Sequence, residues 1–231
     1  MSRRQRHVCI RGRDKAKQLL GRALVSGNLA HAYLFRGPDG VGKQLLARKL
    51  AAAVNCRQRP ALEVSGGGRS AASPAGLGTT PAPGAGDPWA VLPCGQCPSC
   101  RKFSSGNHPD FLVIRPEKGT IKIDRIREMI QTLSYPPYES ACRVVLLEDI
   151  HCMRAEAANS LLKTLEEPPQ NNLLILTAAA SREILSTIRS RCQGVPFFSL
   201  AQAETMQVLL AVDPELDAGT AGPLARLSEG L

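Results

Sequence analysis

Gly37-Pro38-Asp39-Gly40-Val41-Gly42-Lys43-Gln44 is the stretch on which the reading of this chain turns. The apolar run Ala32-Tyr33-Leu34-Phe35 leads into it, and Leu45-Leu46-Ala47-Arg48-Lys49-Leu50-Ala51 follows. In the order strand, glycine-rich loop, helix, a G-x-x-x-x-G-K pattern is a phosphate-binding loop. The glycines let successive backbone N–H groups face one concavity, and the helix N-terminus adds the positive end of its dipole. Gly37, Gly40, Gly42, Lys43 and Gln44 are therefore the candidate nucleotide-binding residues, with Lys43 reaching the outer phosphates. The last position departs from the pattern, because a Ser or Thr hydroxyl normally ligates Mg²⁺ there. An amide is longer and differently shaped, so ATP phosphates can still be bound while metal-assisted hydrolysis is weakened.

Working outward, the flanking segments alternate between strand and helix. Ala16, Leu19, Leu20, Ala23 and Leu24 recur at helical spacing ahead of the loop, and Ser26-Gly27-Asn28 ends that helix. Phe111-Leu112-Val113-Ile114 reads as a strand. A helix with Ile126, Met129, Ile130 and Leu133 on one side follows it. Val144-Val145-Leu146-Leu147 and Leu173-Leu174-Ile175-Leu176-Thr177 are continuous apolar runs, typical of strands buried on both faces of a parallel sheet. Between them lies a helix from about Ala155 to Glu167, stopped by Pro168-Pro169. Val195-Pro196-Phe197-Phe198 is a last strand, and from Ala201 the chain is helical. This is an α/β fold with a doubly wound parallel sheet.

Two acids, Glu148-Asp149, end one buried strand at the carboxyl edge, where ligands of such sheets sit. In phosphate-loop nucleotidases an acid here holds Mg²⁺ and a second orients water. The usual order is Asp then Glu, so this pair is a degenerate version. A polar sensor of a γ-phosphate belongs after the next strand; Ala178-Ala179-Ala180 leaves only Thr177. Arg191, near a helix end, reads from spacing alone as an ordinary surface arginine, although arginines so placed can also complete a neighbour's phosphate site.

Cys94-x₂-Cys97-x₂-Cys100 has the spacing of ligands to one tetrahedral metal, and Cys56 can supply the fourth thiolate if the intervening chain loops out. Zinc is the favoured ion, with an iron–sulfur cluster as the alternative. Cys9, Cys142 and Cys152 read as small apolar residues. Residues 57–93 carry Gly-, Ser- and Pro-rich runs such as Pro81-Ala82-Pro83-Gly84-Ala85-Gly86 and read as a disordered insertion. A net charge of +9 points to an anionic partner, nucleic acid first. Aromatics at 4% argue against base stacking as the main activity. No stretch is as long as a membrane-spanning helix, and no apolar signal core follows the basic N-terminus, so a cytosolic protein is expected. In that compartment eight cysteines indicate metal or redox chemistry before disulfides.

Several stretches together resemble the bacterial DNA polymerase III clamp-loader subunits of the AAA+ class, within them most closely the delta-prime branch. They are His31-Ala32-Tyr33-Leu34-Phe35, Cys94-Gly95-Gln96-Cys97-Pro98-Ser99-Cys100, His108-Pro109-Asp110, Ala157-Ala158-Asn159-Ser160-Leu161-Leu162-Lys163-Thr164-Leu165-Glu166-Glu167-Pro168 and Ser190-Arg191-Cys192-Gln193. The resemblance implies an AAA+ domain over 1–199 and the beginning of a small helical lid domain over 200–231, with the rest of the lid and the C-terminal collar absent. It implies a structural zinc on Cys56, Cys94, Cys97 and Cys100, and Arg191 presented in trans to ATP on a neighbouring subunit. The implied partners are the gamma/tau and delta subunits, the sliding clamp, and primed DNA reached through the complex. Gln44, Glu148-Asp149 and the alanine run favour a non-hydrolysing delta-prime role. The alternatives are an active gamma/tau-type ATPase and, from another class, a zinc-stabilised DNA-binding module.

Overall fold

The computed structural model describes residues 14–58, 63–65, 93–180, 182–212 and 216–228. Cys9 and the basic N-terminus lie outside them. The chain begins with helix α1 (Asp14–Ser26), strand β1 (Asn28–Ala30), β2 (Ala32–Gly37) and α2 (Lys43–Val54). Next come β3 (Glu63–Ser65), α3 (Pro98–Ser105), β4 (Phe111–Ile114), α4 (Ile123–Leu133) and β5 (Arg143–Leu147). Then follow α5 (Ala155–Glu166), β6 (Asn172–Ala179), α6 (Ser186–Arg189), β7 (Gln193–Pro196), α7 (Gln202–Val212) and α8 (Ala218–Leu227).

Five strands form one sheet in the order β4-β5-β6-β2-β7, with every neighbouring pair parallel. The order places the strand that feeds the phosphate loop inside the sheet and brings the carboxyl ends of β5 and β6 to the same edge. All residues of β5 and β6 are buried. That is why their sequences run apolar without alternation: a parallel strand covered on both faces has no solvent side.

Alternate residues of the central strands serve two separate cores. Val144, Leu146, Leu173 and Ile175 pack with Leu20 and Leu24 of α1 and Leu46 and Leu50 of α2. Val145, Leu147, Leu174 and Leu176 face the other way, against Ile126, Met129 and Leu133 of α4 and Leu161 and Leu165 of α5. Side chains alternate across a strand, so one apolar run fills both layers. Each fully buried leucine or isoleucine contributes roughly 1.5–3 kcal/mol.

The structure departs from expectation at two places. Within 57–93, expected to lack regular structure, Glu63–Ser65 pairs in parallel with Asn28–Ala30 as a small separate sheet. Val64 favours a strand and the Gly/Pro runs begin only after it; most of the remaining insertion lies outside the described residues. The last strand starts two residues earlier than read, at Gln193, and ends at Pro196. Pro196 is tolerated there because β7 is an edge strand, and the Phe197 N–H just beyond it still donates to Arg36 O at 2.7 Å. After β7, helices α7 and α8 pack on each other. No helix among the described residues is long and apolar enough to cross a membrane.

Candidate nucleotide and metal sites

Gly40 and Gly42 of the phosphate loop adopt φ of 78° and 81°, the left-handed region glycine enters without a Cβ penalty. Gly42 caps α2 with no side-chain hydrogen bond, and no acid occupies the first turn. The helix N-terminus therefore keeps its N–H groups and positive dipole end available to an anion. Gly37 is fixed for another reason: a Cβ there would lie 2.5 Å from both Cβ and O of Phe197. Lys43 is buried, and its ammonium donates to the carbonyls of Gly37 at 2.7 Å and Pro38 at 2.6 Å and to Asp39 Oδ1 at 3.3 Å. An incoming phosphate would exchange for these oxygens. Gln44 is exposed in the first turn.

At the carboxyl end of β5, Glu148 is 3% exposed. Its Oε2 accepts from Arg115 Nε at 3.0 Å, and Oε1 lies 3.8 Å from Arg48 Nη2. Asp149 follows in a left-handed conformation, φ 52°. Its backbone N–H donates to Thr177 Oγ1 at 3.1 Å. The acid pair and Thr177, the one hydroxyl of β6, are thus brought together at the carboxyl edge of the sheet. Arg48 and Arg115 were not singled out from the sequence. Arg48 falls five residues after Lys43 on α2, and that spacing alone does not distinguish it from a solvated arginine.

Arg191 follows α6, with its side chain 34% exposed. Its guanidinium pairs with Glu166 Oε1 at 2.5 Å and donates to Thr187 O at 2.9 Å. The arginine is held near the surface just before β7, the edge strand beside β2.

The four cysteines Cys56, Cys94, Cys97 and Cys100 converge, with every pair of sulfurs within 4.8 Å. Tetrahedral Zn–S bonds of about 2.3 Å put sulfurs about 3.8 Å apart; Cys94 Sγ and Cys100 Sγ are 3.8 Å apart. Backbone N–H groups of Gln96 and Cys97 point at Cys94 Sγ (3.4 and 3.3 Å), that of Cys94 at Cys56 Sγ, and that of Cys100 at Cys97 Sγ (both 3.4 Å). Burial alone would raise the Cys94 thiol, but the Cys97 and Gln96 N–H donors outweigh it and bring it to about 6. Burial raises Cys56 and Cys100. The donor set and spacing fit one tetrahedral metal ion. Cys142 is buried and Cys152 half-buried, both outside the cluster.

The cluster is tied to the sheet by His108 and Asp110, which the sequence marked as a stretch of the family resemblance without giving them a role. Asp110 is fully buried and accepts from the N–H groups of Tyr138 (2.6 Å), Glu139 (2.9 Å) and Ser140 (2.9 Å). Its own N–H donates to His108 Nδ1 at 3.2 Å. That leaves Nε2 of the neutral ring as the donor toward Ser99 Oγ (3.1 Å), next to Cys100, and Ser140 Oγ (3.3 Å).

A phosphate loop after an inner strand of a parallel sheet, with acids ending β5 and a polar residue on β6, defines a P-loop protein of AAA+ type. Solved structures agree on the fold. A gamma-subunit-related protein of Thermotoga maritima matches 91% of this chain and 57% of its own at TM-score 0.52 and 23% identity. A Thermotoga maritima RuvB variant matches 95% and 56% at TM-score 0.56 and 15% identity. The family model described as "DNA polymerase III, delta subunit" matches residues 12–72 and 85–201. The chain belongs to this family of DNA polymerase III clamp-loader subunits. The delta' subunit of Pseudomonas aeruginosa is 36% identical over 177 residues, covering 76% of this chain and 44% of that protein. The tau subunit of Bacillus subtilis is 30% identical over 195 residues, covering 84% and 29%. The chain thus spans less than half the length of these relatives.

Proposed function

We propose that this protein is the delta-prime type of clamp-loader subunit: it hydrolyses ATP poorly or not at all and supplies Arg191 in trans to ATP on an adjacent gamma/tau-type subunit. It works in the bacterial cytoplasm at the replisome, in a complex with gamma/tau and delta subunits that places the sliding clamp on primed DNA. The observation that carries this reading is the contrast between its two ends of ATP chemistry. Its own acid, Glu148, is paired with two arginines, and Gln44 offers no hydroxyl. Arg191, by contrast, stands at the surface on a short helix, pinned in one orientation by Glu166 and Thr187.

A structural zinc on Cys56, Cys94, Cys97 and Cys100 fixes α3 against the end of α2. Helices α7 and α8 are the start of the lid. The chain's own residues would do three things: the loop's N–H groups and Lys43 hold phosphates, Thr177 fixes the acid-bearing turn, and Arg191 places positive charge where a neighbour's γ-phosphate develops negative charge. Arg191→Ala in an assembled loader lowers ATP turnover at the adjacent site by about 10³-fold or more, the scale of a lost arginine finger. An unchanged rate with normal assembly would remove the trans role. The tau relative at 30% identity supports the second reading, an active ATPase, which predicts turnover by this chain alone that Lys43→Ala abolishes.

A further inference from the structure

Mg²⁺ demands near-octahedral oxygen ligation and is held in P-loop proteins by the hydroxyl after the loop lysine and by the acid ending the neighbouring strand. This chain fits neither requirement. Gln44 is exposed and carries an amide. Glu148, almost wholly buried, is already engaged by Arg115 at 3.0 Å on one oxygen and approached by Arg48 at 3.8 Å on the other. A divalent cation on that carboxylate would compete with two guanidinium groups already paired with it, their side chains 36% exposed for Arg48 and 60% for Arg115, so that solvent screens part of the repulsion. The two arginines come from different elements, one from the helix that the phosphate loop opens and one from just after β4. They supply internally the counter-charge that a metal supplies elsewhere.

We infer that this site takes nucleoside di- and triphosphates without a divalent cation, with the Arg48–Glu148–Arg115 cluster standing where the metal would be held. The inference rests on the loop's phosphate-binding reading and goes beyond poor hydrolysis: it specifies the metal-free nucleotide as the ligand.

The test is titration of the whole chain with fluorescently labelled ATP and ADP, with excess Mg²⁺ and in Mg²⁺-free buffer. Mg²⁺ is omitted rather than chelated, because a chelator would also attack the cysteine cluster. The expected dissociation constants agree within about twofold, and Lys43→Ala weakens binding in both buffers. Tightening of about tenfold or more by Mg²⁺ overturns the inference. Absence of binding in both buffers overturns it as well, yet leaves the arginine-donor role standing, since that role needs no nucleotide on this chain. The Arg48→Ala/Arg115→Ala double variant, which frees Glu148, gains a Mg²⁺ dependence. A double variant indifferent to Mg²⁺ would show that the arginines do not exclude the cation, and overturns the assignment to them.

Discussion

Replacing Gly37 by alanine tests how the phosphate loop is seated on the sheet. The new Cβ would lie 2.5 Å from Phe197 Cβ, 2.5 Å from its carbonyl oxygen and 2.9 Å from its carbonyl carbon. Carbon atoms rest at about 3.5–4.0 Å, so the overlap is on the order of 1 Å. Two of the three atoms are backbone and cannot swing aside. Relief requires the end of β7 to retreat from β2, which strains the 2.7 Å bond from Phe197 N–H to Arg36 O and the ring contact between Phe35 and Phe197 at 5.1 Å. Overpacking costs about 1–3 kcal/mol, and a lost hydrogen bond adds about 1 kcal/mol. A total of about 2–4 kcal/mol lowers Tm by about 4–16 °C for a chain of this size. Gly194, on β7 itself, has open space where a Cβ would go and no positive φ. Gly194→Ala is therefore neutral or stabilising by about 0.4–1 kcal/mol. Thermal unfolding of both variants decides the matter. A Gly37→Ala protein melting within about 1 °C of the parent would refute the close approach of loop and β7.

Acid should loosen the junction between the cysteine cluster and the sheet. Burial works to raise the Asp110 carboxyl, but the N–H groups of Glu139, Tyr138 and Ser140 and the Arg143 charge outweigh it and hold it below its usual 3.8. Its folded value is depressed, so its stabilisation is complete above about 3.8 and is lost as pH falls through the lower folded value. His108, kept neutral chiefly by burial, lies below its usual 6.5 and adds a loss that begins as pH drops below that value. Asp110→Ala orphans three N–H groups and costs about 3 kcal/mol or more, read as a lower urea midpoint. It also flattens the acid limb of the stability profile; an unchanged limb would remove Asp110 from that role. Cys97→Ser removes one of four thiolates and releases zinc measured by metal analysis, whereas Cys152→Ser, outside the cluster, retains it. Equal zinc in both variants would exclude the four-cysteine site.

The sheet was legible because its central strands are buried on both faces: Val144 to Leu147 and Leu173 to Thr177 have no solvent-facing positions to disguise them. The cysteine cluster was legible because three of its cysteines are close in sequence, and only Cys56 had to be reached across the insertion. The engagement of Glu148 was not. Arg48 and Arg115 lie 100 and 33 residues from the acid, and no local pattern separates either from a solvated arginine. The same holds for Asp110, whose acceptor role depends on N–H groups 28 to 30 residues away. Its burial is a property of the packed loop, with no local pattern to announce it. The short strand Glu63–Ser65 was hidden by its glycine-rich flank.

The most direct test of the arginine-donor account compares Lys43→Ala with Arg191→Ala of this protein, each assembled with the same ATPase subunits and followed by ATP turnover of the complex. The account predicts that the Lys43 variant turns over ATP at the parental rate while the Arg191 variant loses about 10³-fold or more at the adjacent site. A loss confined to the Lys43 variant would contradict it and make this chain an ATPase in its own right.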